Sequence, residues 1–264
     1  MINKIKIPII FGIFLALLVA FYIKEKMYKP KPMIAIVIDD WGYNLNNLSA
    51  LYDIKRPIIL SILPHLRYSE KIAQEAKKKK FETFLHLPLE SKKGKNPEKD
   101  TIRCDMEDQE IIRKTNLAIQ SVPGISGVSN HQGSKATENK RVMRVVLGQL
   151  KNNNLFFLDS LTSNKSVCEK ISNEIDLDFI KRNIFLDLPT SVSDKKNISD
   201  YIRKQLYELG RVGLRDGYAI GIGHDREMTL KVIKNMAPEL EKMGLRFVSL
   251  KDIIKYKRKI GKYR

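Results

Sequence analysis

Eight short runs rich in Ile, Val, Leu and Phe, each followed by an amphipathic stretch, constrain the fold of this 264-residue chain more than any single motif. They fall at 33–39, 58–63, 81–87, 125–129, 155–159, 183–187, 218–223 and 246–250. Runs this short and this apolar read as strands buried on both faces, the pattern of parallel sheets. The stretches between them carry helical periodicity. Met143, Val146, Leu147 and Leu150 share one face of a helix for which Thr137 is the expected N-cap, with Glu138 in its first turn. Ile198, Ile202, Leu206 and Leu209 repeat the pattern, and Gly210 is expected to stop that helix. A third helix spans Leu230–Met243 and ends at Gly244. Strand and helix in alternation imply right-handed parallel crossovers, in a doubly wound sheet or a barrel. No glycine-rich phosphate loop follows the first strand, which argues against a nucleotide site. Ser91–Asp108 is a polar insertion near one end.

The first 32 residues stand apart. Ile7–Ile23 is an uncharged run of 17 residues behind Lys4 and Lys6, at the lower limit for crossing a bilayer. It reads as an N-terminal membrane anchor, with a cleaved signal and secretion as the alternative. Residues 1–32 are therefore anchor or signal plus linker, 33–250 the folded domain, and 251–264 a basic C-terminal tail expected to fray or to lie on lipid. The domain is expected outside the cytoplasm, periplasmic or at the cell surface. The net charge of +18 is spread along helix faces, and no nucleic-acid-binding motif accompanies it. With only Cys104 and Cys168 and no paired-cysteine motif, one disulfide is conceivable and a thiolate metal site is excluded.

The polar residues at the strand ends are the functional signal. Asp39 and Asp40 end the first strand and His86 the third, while Asn130 and His131 follow the fourth. Asp159 ends the fifth, Asp187 the sixth, and His224 follows the seventh. In parallel α/β folds the C-terminal strand ends converge on one face. Two imidazoles and a carboxylate form an open ligand set for zinc or a similar divalent ion. Side chains alternate along a strand, so Asp39 and Asp40 point differently unless the strand ends between them. One binds metal while the other acts as a base, and a histidine on the opposite rim donates a proton to a leaving group. That kit suits metal-assisted hydrolysis of an amide or ester. Trp41 either packs or stacks on a sugar, and His65 reads as an ordinary loop residue.

The strings IAIVIDDWG, FETFLHLPLE, GVSNHQGS, FFLDSLTS, IFLD and AIGIGH, in that order from Met33 to Leu250, resemble the divergent polysaccharide deacetylases, relatives of the NodB-type carbohydrate deacetylases. The resemblance implies a distorted (β/α)7 barrel and a divalent metal, commonly zinc. It makes Asp39 the catalytic base, Asp40 and His86 metal ligands, and His224 the general acid. Where the family has a second histidine four residues after the first, this chain has Glu90. Either Glu90 or, preferentially, His131 supplies the third ligand. Asn130, Asp159 and Asp187 then orient a histidine or bind sugar hydroxyls. The implied activity is removal of N-acetyl groups from an envelope polysaccharide or its fragments. The alternative is a glycan-binding or scaffolding protein of the envelope without turnover. An aspartate- and magnesium-based phosphatase fits less well, since three histidines suit zinc better.

Overall fold

A strand that is apolar at every position must be covered on both faces, and β1 (Met33–Trp41) shows how this chain does so. The computed structural model describes residues 31–94 and 98–261. Along β1, Ile34, Ile36 and Ile38 enter one buried cluster, while Met33, Ala35 and Val37 enter another. The two-residue side-chain period of a strand produces this division.

Eight further strands follow among the described residues: β2 (Ile59–Ile62), β3 (Glu82–Leu89), β4 (Gly127–Gln132), β5 (Phe156–Asp159), β6 (Phe179–Lys181), β7 (Ile184–Phe185), β8 (Tyr218–His224) and β9 (Arg246–Phe247). All pair in parallel, in the order β6-β5-β4-β3-β2-β1-β8-β7, with β9 beside β1. The sheet is a curled half-barrel. Its end strands β6 and β7 are separated in the chain only by Arg182 and Asn183, so one segment leaves β5 and joins β8. The sequence predicts a single strand over 183–187; β6 is additional. Three residues flanked by charged and polar neighbours carry too little periodicity to announce a strand.

Helices α1 (Leu48–Tyr52), α2 (Ser69–Lys78), α3 (Asp108–Ser121), α4 (Lys140–Asn152), α5 (Cys168–Glu174), α6 (Val192–Lys196), α7 (Ile198–Asp216), α8 (Glu227–Lys242) and α9 (Leu250–Gly261) complete the domain. The apolar stripes of α2, α4, α7 and α8 pack on the outer face of the sheet, in the cluster that holds Ile34 and Ile36. The predicted stripe of α4 is buried, but its cap is Asn139, whose side chain accepts from the Val142 N–H. Thr137 instead lies in a 3-10 turn and donates its hydroxyl hydrogen to the Gly133 carbonyl at 2.8 Å. Helix α7 runs through Gly210 and stops at Gly217, whose φ of 85° suits a residue without a Cβ. Gly210 serves packing: a Cβ there would meet Leu245 Cδ1 at 3.0 Å.

The C-terminal segment differs most from expectation. Leu250 ends the predicted strand and begins α9, and Ile253 and Ile254 are buried in the inner cluster with Met33, Phe84 and Phe156. Glu82 Oε2, at the start of β3, accepts the Leu250 N–H at 2.6 Å. Lys257 donates to the Phe179 carbonyl at 2.8 Å. As far as Gly261 the basic segment is helical and closes the strand-start end of the half-barrel, with Lys251, Lys255 and Lys259 exposed on the outer side of an apolar plug. Among the described residues no helix is long and apolar enough to cross a membrane. The anchor expected over Ile7–Ile23 lies outside the described residues. Both cysteines are free thiols, Cys168 buried and Cys104 half-buried.

Because Ile253 plugs the inner core, Ile253→Ala should lower unfolding free energy by about 2–5 kcal/mol in denaturant titration. A loss below about 0.5 kcal/mol would contradict the plug.

Candidate metal centre

On β1, β2, β3, β4 and β8 the inward column changes from apolar or small residues to polar ones toward the C-terminal end. Val37 gives way to Asp39, Ile59 to Ser61, Phe84 to His86, Gly127 to Ser129 and Ile222 to His224, each pair separated by two residues. Alternation alone therefore gathers Asp39, Ser61, His86, Ser129 and His224 at one mouth, and His131, two residues beyond Ser129, joins them. Asp40 has the wrong parity. A register irregularity between Ile38 and Trp41, with Asp40 at φ 69°, turns its carboxylate back toward the same mouth. Aspartate is among the residues that tolerate this left-handed region best. Trp41 then returns to the outer core, fully buried, which excludes it as a sugar platform.

Asp40 Oδ1 faces His86 Nε2 at 3.4 Å and His131 Nδ1 at 3.2 Å. One ligand atom from each of these three residues lies within 4.8 Å of the others. Asp40 Oδ1 is buried and has no hydrogen-bond partner, although two imidazole nitrogens surround it. Four ligands around zinc at about 2.1 Å are separated from one another by about 3.4 Å, so the observed spacings suit three donors of one ion. The residues present fit a divalent metal.

Each histidine is held from behind. His86 Nδ1 lies 2.8 Å from Ser129 Oγ, which in turn lies 2.7 Å from Ser61 Oγ. His131 Nε2 faces Glu98 Oε2 at 3.3 Å. His224 Nδ1 meets Asp187 Oδ1 at 2.7 Å, and Asp187 Oδ2 accepts from the His224 N–H at 2.9 Å and the Thr229 hydroxyl at 2.7 Å. Asp39 is buried, with Oδ2 3.5 Å from His86 Nε2. Its strand partner in register is His224.

Burial and these contacts set the protonation states. Burial raises the Asp39 carboxyl above its usual range, opposed by His86 and His224. Burial also works against ionisation of Asp40, but the adjacent His131 and His86 imidazoles outweigh it and hold the group well below the carboxylate range. For His131, burial is overcome by Asp40 and Glu98, which lift the imidazole to about 9 in the metal-free protein. His224 is likewise raised, Asp187 outweighing desolvation.

The remaining sequence-predicted residues have different surroundings. Glu90 accepts the Cys104 N–H through Oε2 at 2.6 Å and the Lys135 ammonium through Oε1 at 2.7 Å. It ties the insertion to the turn after β4, and His131 stands beside Asp40 and His86 instead. Asn130 joins two strand ends: its Oδ1 accepts from Ser160 N at 2.8 Å and its amide donates to the Gln132 carbonyl at 2.8 Å. Asp159 shapes the loop after β5, accepting from Leu161 N at 2.8 Å and Ser166 Oγ at 2.6 Å. His65 is exposed in the turn after β2.

Two residues escape sequence reasoning. Glu98 sits inside the polar insertion, where nothing distinguishes it from its neighbours. Arg182, at the joint of β6 and β7, donates to the carbonyls of Ser160 at 2.7 Å and Leu161 at 3.1 Å and stacks 3.7 Å over the Phe185 ring. Burial lowers it to about 10, while Asp159 and Asp39 favour its charge. An Arg between two short apolar runs was its only signal.

The family model described as divergent polysaccharide deacetylase matches residues 36–254. The uncharacterized protein YibQ of Escherichia coli (strain K12) is 33% identical over 207 residues, which are 78% of this chain and 63% of that protein. The chain thus spans less than two thirds of that relative's length. An uncharacterized protein of Agrobacterium tumefaciens C58 has a similar solved structure, with TM-score 0.78 and 21% identity over 86% of this chain and 90% of that one. The fold is also shared with peptidoglycan deacetylase PdaC from Bacillus subtilis, at TM-score 0.51 and 13% identity over 89% of this chain and 96% of that one. It is shared as well with a mutant CE4 family pseudoenzyme with restored enzymatic activity, at TM-score 0.50 and 14% identity over 85% and 68%.

Replacing His131 by Ala should weaken zinc or cobalt binding more than about 100-fold in a competition titration, beyond the usual effect of a supporting residue. Glu90→Ala should leave affinity within a few fold. The reverse ranking would make Glu90 the ligand.

Proposed function

The chain belongs to the divergent polysaccharide deacetylase family, and from that membership we propose that it is a metal-dependent hydrolase removing N-acetyl groups from an envelope polysaccharide or its fragments. The observation that carries this reading is the Asp40–His86–His131 set, with buried Asp39 and the His224–Asp187 pair beside it on adjacent strands. The uncharged run Ile7–Ile23 supports an envelope location.

A divalent ion bound by Asp40, His86 and His131 would supply Lewis-acid polarisation of the amide carbonyl and a water of lowered pKa. The chain's own groups handle the protons. Asp39 lacks a hydrogen bond on Oδ1 and is made more basic by burial, so it takes a proton from the attacking water. His224 is fixed through Nδ1 by Asp187, which leaves Nε2 to donate to the departing amine. The Asp187 carboxylate favours the imidazolium, keeping that proton available near neutral pH. Asp39 and His224 sit side by side on β1 and β8, so base and acid address one bound group from neighbouring strands.

A second reading, a glycan-binding protein without turnover, draws on the likeness to a pseudoenzyme fold and on the departure at Glu90. Acetate release from N-acetylated oligosaccharides by metal-loaded protein separates the two.

Under the hydrolase reading, Asp39→Ala and His224→Ala each lower kcat by about 10²–10⁴-fold. Activity should rise with pH as Asp39 ionises, above the ordinary aspartate value of 3.8, and fall as His224 deprotonates, above the ordinary histidine value of 6.5. Asp187→Asn should move the alkaline limb to lower pH. Glycan binding that persists in Asp39→Ala, with no acetate released by the parent protein, would support the second reading instead.

A further inference from the structure

We propose that Glu98, steadied by Tyr43, is the positioning residue for His131, setting which imidazole nitrogen is free to bind metal. The inference rests on the reading of Asp40, His86 and His131 as ligands and adds to it a residue outside every motif that carries the family resemblance.

His131 presents Nδ1 to Asp40 at 3.2 Å and Nε2 to Glu98 at 3.3 Å. A neutral imidazole has one protonated and one bare nitrogen, and only the bare nitrogen can ligate. For Nδ1 to be bare, Nε2 must carry the hydrogen and have an acceptor. Glu98 Oε2 is that acceptor: its side chain is 7% exposed, and Oε2 is buried without a hydrogen bond elsewhere. The nearest competitor is the Gln132 amide nitrogen, 3.4 Å from the same ring nitrogen. An amide N–H would donate to Nε2 and select the opposite tautomer, leaving the hydrogen on the metal-facing side. The carboxylate opposes that outcome because it can only accept.

Glu98 is itself fixed. Oε1 accepts the Tyr43 O–H at 2.8 Å, and its carbonyl accepts the Thr101 hydroxyl at 2.7 Å. The Ile102 N–H donates to the Pro88 carbonyl and the Ile102 carbonyl accepts from Glu90 N, both at 2.9 Å, which pins the insertion to the end of β3. Tyr43 follows Asp40 by three residues, so the contact ties the rim that supplies one ligand to the carboxylate that orients another. Carboxylates behind ligating imidazoles typically change metal affinity by about 10–100-fold.

The test is a competition titration of the full-length chain with zinc, together with the visible spectrum of the cobalt-loaded protein. Glu98→Ala should bind about 10–100-fold more weakly and shift the cobalt bands. Glu98→Gln, whose amide oxygen still accepts, should recover most of the affinity, and Tyr43→Phe should fall between wild type and Glu98→Ala. A Glu98→Ala protein with wild-type affinity and spectrum overturns the proposal. Should that variant not fold, wild-type affinity and spectrum in Tyr43→Phe overturn it equally. A wild-type chain that binds no metal also overturns it. A chain that binds metal through Glu98-dependent His131 yet releases no acetate contradicts the hydrolase reading and leaves this one standing.

Discussion

The site depends on one backbone irregularity. Every other inward-facing group at the mouth obeys the two-residue alternation of its strand, and Asp40 does not. Its φ of 69° and the broken register between Ile38 and Trp41 bring two consecutive carboxylates to the same side. Without that break, Asp40 would point at the outer helices and His86 and His131 would face each other with no shared anion. Backbone in sparsely populated regions clusters where structure serves a site, and here the left-handed residue is itself the candidate ligand.

The rest of the domain reads as support for that mouth. The outer helices bury one face of the sheet, and α9 seals the strand-start end of the inner face with Ile253 and Ile254. The inner column can therefore change from apolar to polar within one strand, with Asp39 and His86 buried and Asp40, His131 and His224 partly so. Such placement costs stability: Asp39 Oδ1 and Asp40 Oδ1 are buried without hydrogen bonds, and an unpaired buried carboxylate is expensive. A bound cation would satisfy both the geometry and the charge. The supporting groups behind the rings, Ser129 for His86, Glu98 for His131 and Asp187 for His224, form a layer that a packing argument alone would not require.

Much of this was legible in the sequence because buried parallel strands are short, apolar and punctuated by polar tips. The C-terminal halves of β1, β3, β4, β5 and β8 carry Asp39, His86, His131, Asp159 and His224 in plain view. What alternation could not reveal was the bulge, since a one-residue irregularity leaves composition unchanged; the pairing of Asp39 with Asp40 posed the question without answering it. Glu98 was hidden for another reason, arriving through a polar insertion with no periodicity. Asp159 and Asn130 have the right residue types at the right tips, yet their hydrogen bonds hold the loop after β5. The plug helix α9 was masked by its own lysines, which dominate the composition of the last residues while two isoleucines do the packing.

An anomalous difference map at the zinc edge, from crystals of the zinc-loaded chain, tests the central claim most directly. One peak is expected about 2.0–2.2 Å from Asp40 Oδ1, His86 Nε2 and His131 Nδ1 together. A peak bound by Glu90, by only one of the two imidazoles, or no peak at that mouth would contradict it.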